Sequence, residues 1–176
     1  MKGWMLLLGG LWLGGCRQFT DASAEKTVRA YNARVIEAYR SADPALVEPV
    51  AGPDEAKKLT GSIGVKVDQG ITLDSELLEL SVDSVRRTDE RVTVVTRESW
   101  RYRDRRIGTG EQVGQSSQDR YHMEYDLQRV DGTWKVVETR FASPPQVGRT
   151  EVPNQAPADV LHGVIKPPLA PAPEPK

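Results

Sequence analysis

Tyr121-His122-Met123-Glu124-Tyr125-Asp126-Leu127, followed by Gln128-Arg129-Val130-Asp131-Gly132-Thr133-Trp134-Lys135-Val136-Val137-Glu138, is the stretch from which the fold is read. Tyr121, Met123, Tyr125 and Leu127 alternate with polar residues, the period of a half-buried strand. Asp131-Gly132 supplies the positive-φ pair of a tight hairpin. Trp134, Val136 and Glu138 share one parity of the returning strand, with Val137 and Phe141 on the other. Two antiparallel strands are therefore predicted here, with one face turned to a core.

Working towards the N-terminus, Arg91 to Tyr102 carries Val92, Val94, Trp100 and Tyr102 on one parity, and Leu78, Leu80 and Val82 alternate before a turn at Thr88-Asp89-Glu90. Asp104 to Gly114 reads as a charged, glycine-containing connection, with Gly108-Thr109-Gly110 a turn. Before Leu73 the period changes to that of helices. Val28, Tyr31, Val35 and Tyr39 recur at three- and four-residue steps after an N-cap at Asp21 or Ser23. Asp43-Pro44 opens a short helix and Gly52-Pro53 another, whose apolar face is expected to carry Ala56, Leu59, Ile63 and Val67. Helices followed by a four-stranded meander predict an α+β domain, with N-terminal helices packed on a curved antiparallel sheet.

Trp100-Arg101-Tyr102, the Tyr121–Leu127 strand and the series Tyr-Asp-Leu, Arg, Asp-Gly, Trp-Lys-Val resemble the closing strands of nuclear-transport-factor-2-like domains. The series is most similar to the version found in plastid and cyanobacterial division proteins. The resemblance covers 24–142 and implies a cone-like, cystatin-like α+β fold. It implies little about activity, because the motifs record hairpin geometry and packing and the architecture hosts enzymes, ligand cups and interaction modules alike. It also implies that a homodimer through the open sheet face is plausible.

The ends of the chain differ from this domain. Residues 1–15 join Lys2 to an apolar, glycine-broken run, too short for a membrane span of about 20 residues but suited to a signal peptide. Leu13-Gly14-Gly15-Cys16 resembles the lipobox of bacterial lipoproteins, with Gly14 a departure from the commoner Ala or Ser. The resemblance implies cleavage before Cys16, diacylglyceryl on its sulfur and an acyl chain such as palmitate on its amine. It also implies an extracytoplasmic, membrane-anchored location, at the outer membrane if the source is Gram-negative, since Arg17 rather than Asp follows the cysteine. A buried helix with an inert cysteine is the competing reading, and the four glycines of the run weaken it by about 1 kcal/mol each. Residues 16–23 form the lipidated cysteine and its spacer, and 143–176, with nine of the 12 prolines, a Pro-rich tail expected to be largely disordered.

The chain has 176 residues, 38% of them hydrophobic and 28% charged, and a net charge of −1. That balance offers no field for nucleic acid. One cysteine and two histidines build neither a disulfide framework nor a zinc site, so no metal or cofactor is expected. His122 is a candidate general base, with Asp126 four residues on. On one strand they stand about 13 Å apart, too far for a dyad, and they lie opposite in parity to the row predicted to face the cup. Asp126 is expected to be structural, paired with a base such as Lys135 or Arg97. Trp100, Tyr102, Tyr121, Tyr125 and Trp134 could line a ligand cup, although such rows are more often core. Glu98 and Glu138 are either buried carboxylates of raised pKa or solvated side chains. The expected function is a non-enzymatic binding or scaffold module of the cell envelope, recognising a protein or a small apolar ligand. The alternative is an isomerase- or dehydratase-type enzyme using a carboxylate or His122 in the cup.

Overall fold

Thr20 starts the first helix, one residue before the earlier of the two expected caps: its hydroxyl accepts from the Ser23 backbone N–H at 3.2 Å. The computed structural model describes residues 19–147, apart from residue 89 and the side chains at 146–147. The signal peptide, the lipidated Cys16 and nearly all of the Pro-rich tail lie outside the described residues. Helix α1 (Asp21–Ser41) buries Ala24, Val28, Tyr31, Val35, Ala38 and Tyr39 along one face. It ends at Ala42 in the left-handed region, φ 56°. Asp43 then caps a single 3₁₀ turn, Pro44–Val47, by accepting from Ala45 N–H at 3.1 Å. Helix α2 (Pro53–Asp68) follows, with Pro53 in its first turn.

The buried face of α2 differs from the expected one. Leu59 and Ile63 are inside, but the same face carries Glu55, Ser62 and Lys66, while Val67 is 39% exposed. Polar residues hold these inward positions because each has a partner: Ser62 donates to the Lys58 carbonyl at 3.0 Å, and Glu55 and Lys66 meet the groups described below.

Four long strands form an antiparallel meander in the order β1 (Ile71–Arg87), β2 (Arg91–Arg106), β3 (Gln112–Val130) and β4 (Thr133–Phe141). A two-residue strand, β5 (Gln146–Val147), pairs with β3 at Asp119 and Arg120. Strands β2 and β3 run further into the expected 104–114 connection than alternation suggested, leaving only residues 107–111 as the turn. Asp131 (φ 52°) and Gly132 (φ 78°) make the tight hairpin expected of them.

Register shifts at Leu77/Glu79, Val82/Ser84 and Asp126/Leu127 each leave one residue extra, the one at Tyr102/Asp104 sets Arg103 against residues 114–116, and such bulges bend and twist a strand. One of them corrects the reading of β1. Leu78 is the extra residue and is exposed, so the inward row passes through Leu77 and Leu80 instead. The helices cover one face of the curved sheet, α1 mainly over β1 and α2 reaching β1 and β4. At the free edge of β1 the two bulges and Arg29, whose Nη2 donates to the Leu80 carbonyl at 2.9 Å, break the row of groups another strand would need.

Gly52 fixes α2 to the sheet. Its N–H donates to the Val136 carbonyl at 2.7 Å, and Val136 N–H returns to the Val50 carbonyl at 3.0 Å. A Cβ at position 52 would stand 2.9 Å from Val137 Cγ1, so only glycine fits this approach without displacement. Among the described residues, no helix is long and apolar enough to cross a membrane.

Candidate functional site

The parity of β2 and β3 turns Trp100, Tyr102, Tyr121 and Tyr125 into the space between sheet and helices. There they join Val92, Val94, Met123 and Leu127 as buried core. Trp100 and Tyr102 stack with centroids 6.0 Å apart, and Tyr31 of α1 meets Tyr125 edge-on at 6.0 Å. The candidate lining set thus packs against itself and the helix. Trp134 does not belong with it: it stacks on Phe19 at 4.3 Å, with Arg129 over its ring at 5.8 Å, at the flank of the sheet. The register explains this position, since Trp134 pairs with Arg129 beside the hairpin turn.

Three carboxylates are sealed in this interior: Glu98, Glu55 and Asp119, the last 4% exposed and accepting from Tyr121 Oη at 3.1 Å. Glu98 follows Val92, Val94 and Thr96 on the inward row and is 3% exposed. Its Oε1 accepts from Thr96 Oγ1 (2.8 Å), Tyr125 Oη (2.7 Å) and Asn32 Nδ2 (3.5 Å), and its Oε2 accepts from Trp100 Nε1 (2.7 Å). Burial pushes the Glu98 carboxyl above its ordinary value, and these four donors draw it only part of the way back. Glu55, from α2, accepts from Tyr31 Oη at 2.7 Å and Thr139 Oγ1 at 2.9 Å, with Lys58 Nζ at 3.5 Å. Burial raises Tyr31 and Tyr125 well above the ordinary phenol range, and the adjoining Glu55 and Glu98 charges add to the rise.

Of the two carboxylates proposed for burial, Glu98 is inside and Glu138 is exposed. Glu55 and Asn32 were not singled out from sequence, and Tyr31 only as part of the apolar face of the first helix. The available signal was Glu55 at helical spacing with Leu59 and Ile63, an acid in a core position. A further, part-buried contact joins Lys66 Nζ to both Asp104 oxygens, at 2.8 and 3.1 Å.

The opposite face of the sheet is a lattice of ion pairs. Asp74 sits among Arg40, Arg103 and Arg105, and Glu76 between Arg101 and Arg103. Glu124 is held by Arg86 and Arg140. Burial raises the Asp74 carboxyl, but Arg105, Arg103 and Arg40 outweigh it and leave the group below its ordinary value.

His122 and Asp126 both lie on this outer face, each with its own partners. Asp126 is 1% exposed, bound by Thr93 Oγ1 (2.7 Å), Arg140 Nη1 (2.9 Å) and Arg91 Nη1 (3.3 Å). These replace the expected Lys135 and Arg97, because Asp126 pairs across the sheet with Thr93 and Glu138, which brings Arg91 and Arg140 to the diagonal positions. Lys135 donates instead to the Glu48 carbonyl at 2.8 Å, and Arg97 binds Asp83 at 2.8 Å. His122 Nε2 lies 3.4 Å from Asp83 Oδ2, and its Nδ1 lies 3.4 Å from Ser143 Oγ. Both approaches are long, and Asp83 Oδ2 is shared with Arg97, so this line of groups is a weak activator for a nucleophile. Among the described residues, no three His, Cys, Asp or Glu side chains gather as metal ligands.

Two helices packed on a curved four-stranded antiparallel meander, closed around one core, define the nuclear-transport-factor-2-like fold, and this chain has it. No protein-family model matches the chain, and no curated protein does. Among solved structures, it is similar to the intermembrane-space region of the chloroplast protein ARC6, with 19% identity, TM-score 0.61, and coverage of 69% of this chain and 95% of that one. A periplasmic fragment of TraM aligns at 10% identity and TM-score 0.50, over 74% of this chain and 99% of that one. A nuclear-transport-factor-2-like superfamily protein from Salmonella enterica serovar Typhimurium LT2 aligns at 12% identity and TM-score 0.50, over 78% and 100%. At these identities the likeness is one of fold.

Proposed function

We propose that the chain is an extracytoplasmic lipoprotein, anchored through acylated Cys16, whose domain is a non-enzymatic binding or scaffold module. The observation that carries the non-enzymatic part is the saturation of Glu98. An isomerase or dehydratase on this fold would need a carboxylate of raised pKa facing substrate, and burial raises Glu98. Its oxygens are occupied by Thr96, Tyr125, Asn32 and Trp100, side chains that also fill the space a substrate would take. His122, the other candidate, faces outward. Recognition is thereby assigned to the outer surface, towards a protein or a polar ligand rather than an apolar molecule in the cup.

The anchor is supported by the Leu13-Gly14-Gly15-Cys16 sequence. The location is in keeping with two fold neighbours described as a periplasmic fragment and an intermembrane-space region. Two measurements test the proposal. Cys16→Ser is expected to move the protein from the membrane to the soluble fraction, and mass spectrometry of the membrane form to find acyl chains on an N-terminal Cys16. Retention of residues 1–15 without modification refutes the anchor. Pull-down of the membrane-bound protein is expected to return the same stoichiometric partner with and without truncation at Ser143. Loss of that partner on truncation would move the function from the domain to the tail.

A further inference from the structure

Two rungs run straight across three strands on the outer face. Glu79 of β1, Ser99 of β2 and Arg120 of β3 form one; Ser81, Arg97 and His122 form the next. Above them is a cavity of about 420 Å³, closed on one side by Ser143 and Pro144. The Ala142 N–H donates to the His122 carbonyl at 2.8 Å and holds the start of that segment against β3. The volume falls within the range of small-molecule pockets.

The two walls differ in chemistry. The β3 wall presents the Arg120 guanidinium, the His122 ring and the Ser143 hydroxyl, with Ser99 on the floor. The β1 wall presents Glu79 and Ser81. Asp83, the nearby acid, is engaged by Arg97 at 2.8 Å. Arg120 stands apart from the other arginines of the central outer lattice: it has no hydrogen-bond or ion-pair partner among the described residues and is exposed. His122 Nε2 is shielded from solvent and makes no hydrogen bond of good geometry. An exposed, unpaired guanidinium with the hydroxyls of Ser99 and Ser143 beside the same cavity is the donor set of an oxyanion site, with the His122 ring, turned towards Asp83, as its wall.

We infer that this cavity binds a compact oxyanion, a carboxylate or a phosphoryl group, seated on Arg120 with Ser99, Ser143 and His122 around it. Glu79 lies two strand spacings away, about 10 Å, so the remainder of the ligand is neutral or cationic and a polyanion is rejected. The inference rests on the reading of the domain as a binding module and is independent of the lipid anchor.

The test is titration of the isotopically labelled full chain, in non-ionic detergent at constant ionic strength, with inorganic phosphate and, separately, acetate, followed by backbone amide shifts. Saturable shifts confined to residues 79–81, 97–99, 118–122 and 142–144 are expected with at least one anion, and which anion identifies the group. Arg120→Gln is expected to weaken binding at least tenfold without changing the melting temperature, whereas Arg106→Gln, an exposed arginine outside the cavity, leaves it unchanged. No saturable shift with either anion, or unaltered affinity in Arg120→Gln, overturns the inference. Anion binding that persists where the pull-down finds no partner would count against a protein partner and leave this site standing.

Discussion

Replacing Glu98 separates two roles that its burial combines. In Glu98→Leu the four donors remain and their acceptor is gone. Tyr125 Oη keeps an outlet, since Asn32 Oδ1 is 3.3 Å away. Trp100 Nε1 and Thr96 Oγ1 have no other partner shown, and each unsatisfied buried donor costs about 1–3 kcal/mol. Relief from burying a carboxylate offsets part of this, so the expected net loss is about 2–4 kcal/mol. In Glu98→Gln the amide oxygen takes the Trp100 N–H, and the amide nitrogen donates to Tyr125, which passes its proton to Asn32. The expected loss is then under about 1.5 kcal/mol. The two variants also differ from wild type in pH dependence. A carboxyl whose folded pKa is raised binds more protons in the native state than in the unfolded one. Its contribution is therefore greatest below its ordinary value of 4.5 and is lost as pH rises through the raised folded value. The stability advantage of wild type over Glu98→Gln should thus shrink as pH rises from 4 to 8, while contributions from other carboxylates cancel in the difference. Urea unfolding followed by far-ultraviolet circular dichroism at several pH values measures it. Glu98→Leu as stable as wild type, or a wild-type–Gln difference that does not change with pH, would refute the reasoning.

Lys66→Met leaves Asp104 without its cation in a site where that carboxylate is 14% exposed, and urea unfolding should register a loss of about 3 kcal/mol. Adding Asp104→Leu should recover most of it. Gly52→Ala drives a methyl group into Val137 and should cost about 1–3 kcal/mol; recovery in the Gly52→Ala/Val137→Ala double variant is the check, and an unperturbed single variant would contradict the close approach. Asp74, held below its ordinary value of 3.8 by Arg105, Arg103 and Arg40, contributes stability that is present above that value and lost as pH falls through the folded one. Asp74→Asn should therefore flatten the acid limb of the stability curve between pH 2 and 5.

Strand β3 was legible because its inward row, Tyr121 to Leu127, runs unbroken until the register shift at Asp126/Leu127. Strand β1 was misread at Leu78 because the bulge there depends on pairing with β2, and nothing in Leu77-Leu78-Glu79 itself selects which residue is extra. Glu98 lay on the inward parity of β2 all along, but composition favours a solvated glutamate, and only Asn32 from α1 and Tyr125 from β3 make burial tolerable. Those contacts span 66 and 27 residues, beyond the reach of any local pattern. The rungs Glu79–Ser99–Arg120 and Ser81–Arg97–His122 are likewise products of register, so the outer cavity was invisible to a reading in which His122 was weighed only against Asp126.

The interior and the outer face divide the work of the fold between them. Inside, Tyr31 and Tyr125 come from opposite layers, meet edge-on, and each ends on a carboxylate from a third element. Removing any one of these groups strands another, so the polar interior acts as a lock between helices and sheet. Outside, Asp74, Glu124 and Asp126 each answer to two or more arginines. The arginines of these pairs are largely exposed while their carboxylates are not, and together they hold the side chains of neighbouring strands in fixed positions. A second copy of the chain docking on this lattice would have to strip water from many charges for little apolar gain, since Val95 is half-buried and Leu78 lies on a bulge. Polar ligands face no such barrier at Arg120, where a cation is already unpaired. The surface chemistry that disfavours association through a broad apolar interface is therefore the same chemistry that leaves the Arg120 guanidinium free to meet the compact anion we infer for it.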